Sequence, residues 1–204
     1  MFQIKSDFHG TDSIISGCVY LQLVIMVGTP FDVLPYIRGI QIVLSGYEGY
    51  TKGKRRSADQ AIREEIQRCC NRARSHLMNV HDSAFQDKKI DVAKAAKNCC
   101  NRIDQFIESV NKSPSGMNHA FFSGQRSASN SVLKKLIVHD HDVIEMVTKA
   151  VNVSNSVEHA FATKASNDDV ISLIRQCEQK ITSSDGYFSA RNTVLDGLRQ
   201  KKKV

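Results

Sequence analysis

Two stretches of the chain carry the same pattern of apolar and polar positions. In residues 61–80 the apolar positions are Ile62, Ile66, Cys69, Ala73, Leu77 and Val80; in residues 91–110 they are Val92, Ala96, Cys99, Ile103, Ile107 and Val110. Steps of three and four place each set along one stripe of an α-helix. A shift of thirty residues superposes all six positions, and the letters CCNR recur at the same place in both copies. Val170, Ile174, Cys177 and Ile181 form a weaker third copy. Ser57 and Gln60 have the spacing of a capping box at the start of the first helix. Residues 81–90 break the periodicity, which predicts a connection and an antiparallel helical hairpin. A turn centred near Phe85 would set position 70 opposite position 100, bringing the two Cys-Cys pairs to one level.

Downstream, residues 111–130 are rich in serine and contain Pro114, Gly116 and Gly124, so they predict a loop, with an apolar island at Met117–Phe122. Leu133, Leu136, Ile137, Ile144, Val147 and Val151 predict a further helix that starts at a serine before Val132. Asn155 to Thr163 reads as a separate short helix. The next helix is capped by Asn167 or Asp168 and runs through Cys177 to about Ser183. Ser183, Ser184, Asp185 and Gly186 read as a turn before a last short helix with Val194, Leu195 and Leu198. Two phrases, Asn118–Phe121 and Glu158–Phe161, share the letters HAF and mark candidate docking segments.

The region 13–46 has another character. The run Ile14–Val27 is apolar and β-branched, and a second run, Val33–Leu44, is interrupted by Pro35 and Gly39. A pair of buried strands is the favoured reading; a membrane-associated hairpin competes, although the first run is shorter than the roughly twenty apolar residues of a spanning helix. Residues 45–56 read as a linker that ends in a basic cluster. The expected organisation is thus an N-terminal apolar element over 1–50, strands or helix, followed by a helical bundle over 51–204. The fold class is mainly α, an irregular bundle built on the antiparallel hairpin.

Composition narrows the function classes. Apolar and charged fractions of 41% and 24% are those of a folded domain. No proline follows Pro114, which favours long helices there. The formal net charge of +7 points to an anionic partner. Six cysteines would permit disulfides, but the start of the chain has one lysine against two aspartates and lacks the positive opening of a secretory signal. Reduced thiols in an intracellular compartment, cytoplasmic or nuclear, are therefore expected.

Three chemistries are open. Lys52, Lys54, Arg55 and Arg56, continued by Arg63, Arg68, Arg72 and Arg74, form a basic run beside Tyr47 and Tyr50. Such a run sits on phosphates while a tyrosine stacks on a base; a solvated helix face behind a flexible linker accounts for the same residues. Lys201, Lys202 and Lys203 add a basic tail. The paired cysteines suggest a zinc or redox centre. However, neighbours on a helix point about 100° apart and zinc-type spacings are absent, so small buried core residues are the expectation. Finally, His119, His139-Asp140 and Asp168 or Asp169 resemble, in order, the H…HD…D ligand set of HD-domain phosphohydrolases. That resemblance implies a divalent metal that activates water against a phosphoester. Nucleotide-binding loops, a nucleophile elbow and HExxH are absent from the sequence.

The leading expectation is a non-enzymatic helical interaction or assembly protein that binds an anionic partner, nucleic acid before other polyanions. Lys52, Lys54, Arg55, Arg56, Lys201, Lys202 and Lys203 are its candidate contacts, with no catalytic residue, metal ligand or cofactor assigned. The alternatives are a protein–protein scaffold or homo-oligomer and, third, the HD-like phosphohydrolase; a membrane role is not expected.

Overall fold

The computed structural model describes residues 33–51, 53–113 and 130–197, with side chains through Arg191. Val33–Val204 forms a compact unit by itself, and the apolar run Ile14–Val27, the island Met117–Phe122, Lys52, Lys201, Lys202 and Lys203 lie outside the described residues. Five helices account for most of the described chain: α1 (Leu34–Val43), α2 (Arg55–Gln86), α3 (Ile90–Lys112), α4 (Asn130–Ala162) and α5 (Asn167–Gly197). No described helix is long and apolar enough to cross a membrane.

α2 and α3 form the expected hairpin, and α4 and α5 form a second one. Among the long helices the other packed pairs are α2 with α4 and α3 with α5, so these four make a square bundle, with α1 packed on α4. Cross-links give the directions. His76 meets Glu158, and Asp59 and Asp140 share Arg191, so α2 runs parallel to α4. Arg102 meets Thr182 and Phe106 meets Phe188, so α3 runs parallel to α5. The second hairpin therefore lies beside the first in the same orientation. α5 is the third copy of the repeat, and Val170, Ile174, Cys177 and Ile181 are all buried in the seam. Ten of the twelve positions shared by the first two copies are at most 1% exposed; Cys69 is 4% exposed and Ile107 is partly buried against the core.

The structure corrects several local expectations. α2 does not stop near Val80: Leu77, Val80 and Ala84 continue its buried stripe, and the chain turns only at Asp87–Lys89, with Lys88 in the left-handed region. The hairpin register follows, pairing Arg74 with Asp104 and Gln67 with Asn111. By these pairings, and with the Cys100 thiol facing the Arg74 carbonyl, Cys100 lies level with a point about four to eight residues along α2 from Cys70, roughly 6–12 Å along the axis, and the two Cys-Cys pairs do not share a level. The capping box at Ser57 is not formed. α2 begins at Arg55, the Ser57 hydroxyl donates to the Lys54 carbonyl, and Gln60 donates to Glu64. Instead, Ser166 and Asp169 exchange bonds at the start of α5: the Asp169 amide donates to the Ser166 oxygen, and the Ser166 hydroxyl donates to the Asp169 carboxylate.

The stretch from Asn155 to Ala162 is the last part of α4, not a separate helix, and Thr163 lies just past its end. The hydroxyls of Ser154, Ser156 and Thr163 fold back onto their own helix, and Val151, Ser154 and Val157 keep the buried stripe. Likewise Ser183–Gly186 is helix within α5, whose stripe passes through Ile181, Ser184, Phe188 and Arg191.

The run Val33–Leu44 is helix rather than strand. Pro35 sits in the first turn of α1, where a fixed φ and a missing N–H suit a helix start. Gly39 does not break α1 but lets it approach α4: a Cβ there would lie 2.6 Å from the His141 ring. Residues 44–51 then form a strap rather than a free linker. Gly49 takes φ +72° against Ile137, a conformation costly for residues with a Cβ. Tyr47 and Tyr50, at 4% and 3% exposure, are inserted into the core.

Candidate functional site

The start of α2 carries the described part of the basic cluster. Lys54 is the residue before the helix, and Arg55 and Arg56 are its first two residues. The terminus has no side-chain cap and no acidic residue in its first turn, so its positive end adds to the basic side chains. Lys54 pairs with Glu48 at 2.6 Å, both more than half exposed; such a pair is worth little and is screened by salt. Arg63, by contrast, is buried: its Nε donates to Asp59 at 2.9 Å and its guanidinium to the Val110 carbonyl at 2.6 Å. Arg68 and Arg74 are paired with Glu65 and Asp104. The tyrosines beside the cluster are buried and do not offer rings to bases.

Behind the strap lies a buried polar hub that the apolar pattern concealed. Arg191 of α5 is fully buried; it lies 2.6 Å from the Asp59 carboxylate of α2 and donates from Nε to Asp140 of α4 at 2.8 Å. It also donates to the Tyr50 hydroxyl at 2.5 Å, and Tyr50 in turn donates to the second Asp140 oxygen. With Arg63, two guanidiniums face two carboxylates. Burial alone would lower the Arg191 pKa, but Asp140, Tyr50 and Asp59 hold it well above the ordinary guanidinium value. Burial pushes the Asp140 carboxyl up against the opposing pull of Arg191 and Tyr50, and burial raises the Tyr50 hydroxyl as well. With Asp140 and Arg191 at 0% exposure, no substrate reaches these groups, and the hub ties α2, α4, α5 and the strap together.

His139, beside Asp140 in the sequence, is also buried. Its ring stacks on Tyr187 with centroids 4.3 Å apart, and its Nε2 donates to the Tyr187 carbonyl at 2.8 Å. Burial lowers its pKa, so it sits neutral. The resemblance to HD-domain phosphohydrolases requires Asp168 or Asp169 beside this dipeptide. Both lie at the opposite end of α5 from Arg191, about 33 Å away along the helix, with Asp169 committed to Ser166; His119 lies outside the described residues. The HD ligand set is therefore not brought together among the described residues.

The described cysteines are free and buried. Cys99 hydrogen-bonds to Cys177, whose thiol donates to the Ala150 carbonyl at 3.6 Å. Burial pushes Cys69 and Cys100 up to about 11 and Cys70 further. Buried thiols with raised pKa values suit core packing and are poor nucleophiles at neutral pH. Among the described residues, the groups that could hold an ion reduce to His141, Asp142 and Glu145.

At the far end, His76 and Asn79 of α2 both bond Glu158 of α4, at 2.5 and 2.8 Å. Phe161 of the same HAF phrase lies under the Lys89 ammonium, 4.7 Å from the ring centroid. Asn118–Phe121 lies outside the described residues. The bond to His76, with help from Asn79, holds the Glu158 carboxyl below its ordinary value of 4.5. A depressed carboxylate contributes its stability above the unfolded-state value and loses it as pH falls through the folded one. Urea melts from pH 6 to pH 3 should therefore show Glu158→Gln less stable than wild type near neutrality, with the gap closing below about 4.5. A gap that stays constant across the series would remove this bridge as an acid-sensitive link.

No family model matches the chain, and neither a curated protein nor a solved structure matches it.

Proposed function

We propose that this bundle is a non-enzymatic interaction protein that binds an anionic partner, nucleic acid foremost, through the basic start of α2. The observation that carries the reading is the placement of Lys54, Arg55 and Arg56 on an uncapped helix N-terminus free of acidic residues in its first turn. Positive partial charge and basic side chains converge on one spot, the combination that suits a phosphate. The net charge of +7 supports it by drawing polyanions to the protein. The reading is non-enzymatic because the buried carboxylates and guanidiniums of the hub are engaged with one another and the described cysteines are buried in the core. With Tyr47 and Tyr50 in the core, contact is to phosphates, which carries affinity without base readout.

Fluorescence anisotropy of labelled duplex and single strands across a salt series tests this. With about three phosphates neutralised, duplex affinity falls roughly fortyfold between 50 and 200 mM salt. The triple variant Lys54→Gln, Arg55→Gln, Arg56→Gln should flatten that dependence. Equal affinity and slope in the variant would remove the cluster from the interface. A protein scaffold is the second reading. It is favoured by Phe85 and Ile90, which flank the α2–α3 turn at 64% and 56% exposure, and it would stand if neither nucleic acid form binds at any salt.

A further inference from the structure

A second site lies on the outer side of α4, where α1 and α5 both touch it. His141, Asp142 and Glu145 each offer one ligand atom, and the three atoms lie within 4.8 Å of one another. The spacing explains the convergence, because residues one turn apart on a helix, here 141 and 145, project to the same face. His141 Nδ1 stands 3.3 Å from Asp142 Oδ1. The other edge of the imidazole is turned toward α1: a Cβ at Gly39 would sit 2.6 Å from its Cδ2 and Nε2, and the Tyr36 ring meets it edge-on with centroids 5.2 Å apart. The ring is thus held with Nδ1 toward the carboxylates. Asp142 is held as well, because its other oxygen, Oδ2, accepts the Tyr187 hydroxyl of α5 at 3.0 Å.

We propose that His141, Asp142 and Glu145 bind a divalent first-row transition ion, with Zn2+ as the reference case. One imidazole and two carboxylates are the nitrogen and oxygen donors such ions accept at about 2.0–2.2 Å. The exposed Glu145 carboxylate closes the remaining distance by side-chain rotation. Its present partner is Lys149 at 2.7 Å, both more than half exposed, and a pair of that kind yields at little cost. Three protein ligands leave coordination positions open for water or for a group from a partner. Tyr187 and Gly39 act from outside the ligand set, orienting the donors as outer partners do in known metal sites. Because the His141 ring is packed on α1, the ion and the docking of α1 stabilise one another.

Titration of the reduced, metal-free full-length protein with Co2+ tests the site. The expected result is saturation at one ion per chain, with ligand-field bands and no thiolate charge-transfer band, reversed by Zn2+. His141→Ala and Glu145→Gln should each weaken binding by about tenfold or more, and Tyr187→Phe by about tenfold. Glu145 is exposed and packs on nothing in the core, so the Gln variant keeps the fold, and an unchanged metal-free melting midpoint verifies that. Absence of saturable binding, a thiolate band that places the ion on the cysteines, or wild-type affinity in both ligand variants would each overturn the proposal.

Discussion

Replacing Arg191 with methionine should destabilise the bundle by about 3–5 kcal/mol in urea or guanidinium melts at neutral pH. Methionine fills much of the same space, so the loss does not come from a cavity. It comes from the carboxylates left behind: Asp140 has 0% and Asp59 2% exposure, and among the described residues the partners left without the guanidinium are the Tyr50 hydroxyl for Asp140 and Arg63 for Asp59. An uncompensated buried charge is among the largest single-site penalties in a protein. The second variant, Arg191→Met with Asp140→Asn, separates this cause from simple loss of packing. Neutralising the orphaned carboxylate should recover part of the lost stability, whereas a packing defect would persist. A single variant within about 1 kcal/mol of wild type would mean that the hub contributes specificity and not stability.

The hub also shows what could be read from the chain and what could not. The α2–α3 hairpin was legible because the stripe positions its two copies share are Ile, Leu, Val, Ala and Cys, which an apolar count detects. α5 was legible only as far as Ile181. Beyond it, the stripe positions are Ser184, Phe188 and Arg191, and a count of apolar residues sees a polar break where the helix continues. Asp140 and Ser154 hide in the stripe of α4 in the same way, and Asp59 and Arg63 in that of α2. One signal was available: Asp59 and Arg63 sit four apart on the face that also carries Ile62 and Ile66, and opposite charges at stripe positions point to a buried partner elsewhere. Residues 33–51 misled for the opposite reason. Val, Ile, Pro and Gly there match strand and linker composition, yet Pro35 starts a helix, Gly39 admits close packing, and Tyr50 supplies a hub contact that only tertiary structure creates. Of the candidate contact residues, Lys54, Arg55 and Arg56 are brought together at one helix end by sequence adjacency alone. The cluster at His141, Asp142 and Glu145 was present in the letters HDHDVIE, but its clamping by α1 and Tyr187 was not.

Phe188→Ala should cost about 3–5 kcal/mol in the same melts. The ring is fully buried, meets Phe106 at 6.2 Å and 69°, and lies under two guanidinium groups, Arg63 at 5.8 Å and Arg191 at 5.9 Å. Truncation therefore opens a cavity between α3 and α5 and also strips the aromatic face from both cations. Phe188→Leu divides the two effects. It keeps most of the apolar volume and should lose only about 1–2 kcal/mol, the scale of a desolvated cation–π contact plus a modest repacking cost. If the ring acts through Arg191, the two sites are coupled: Arg191→Met introduced into Phe188→Leu should cost less than it does in wild type, by about 0.5–3 kcal/mol. The guanidinium would already have lost one of its two aromatic contacts, keeping the Tyr50 ring at 6.0 Å, and removing it takes away less. A cycle that closes additively, within about 0.5 kcal/mol, would assign Phe188 to core packing alone and leave Arg191 to the carboxylates and Tyr50.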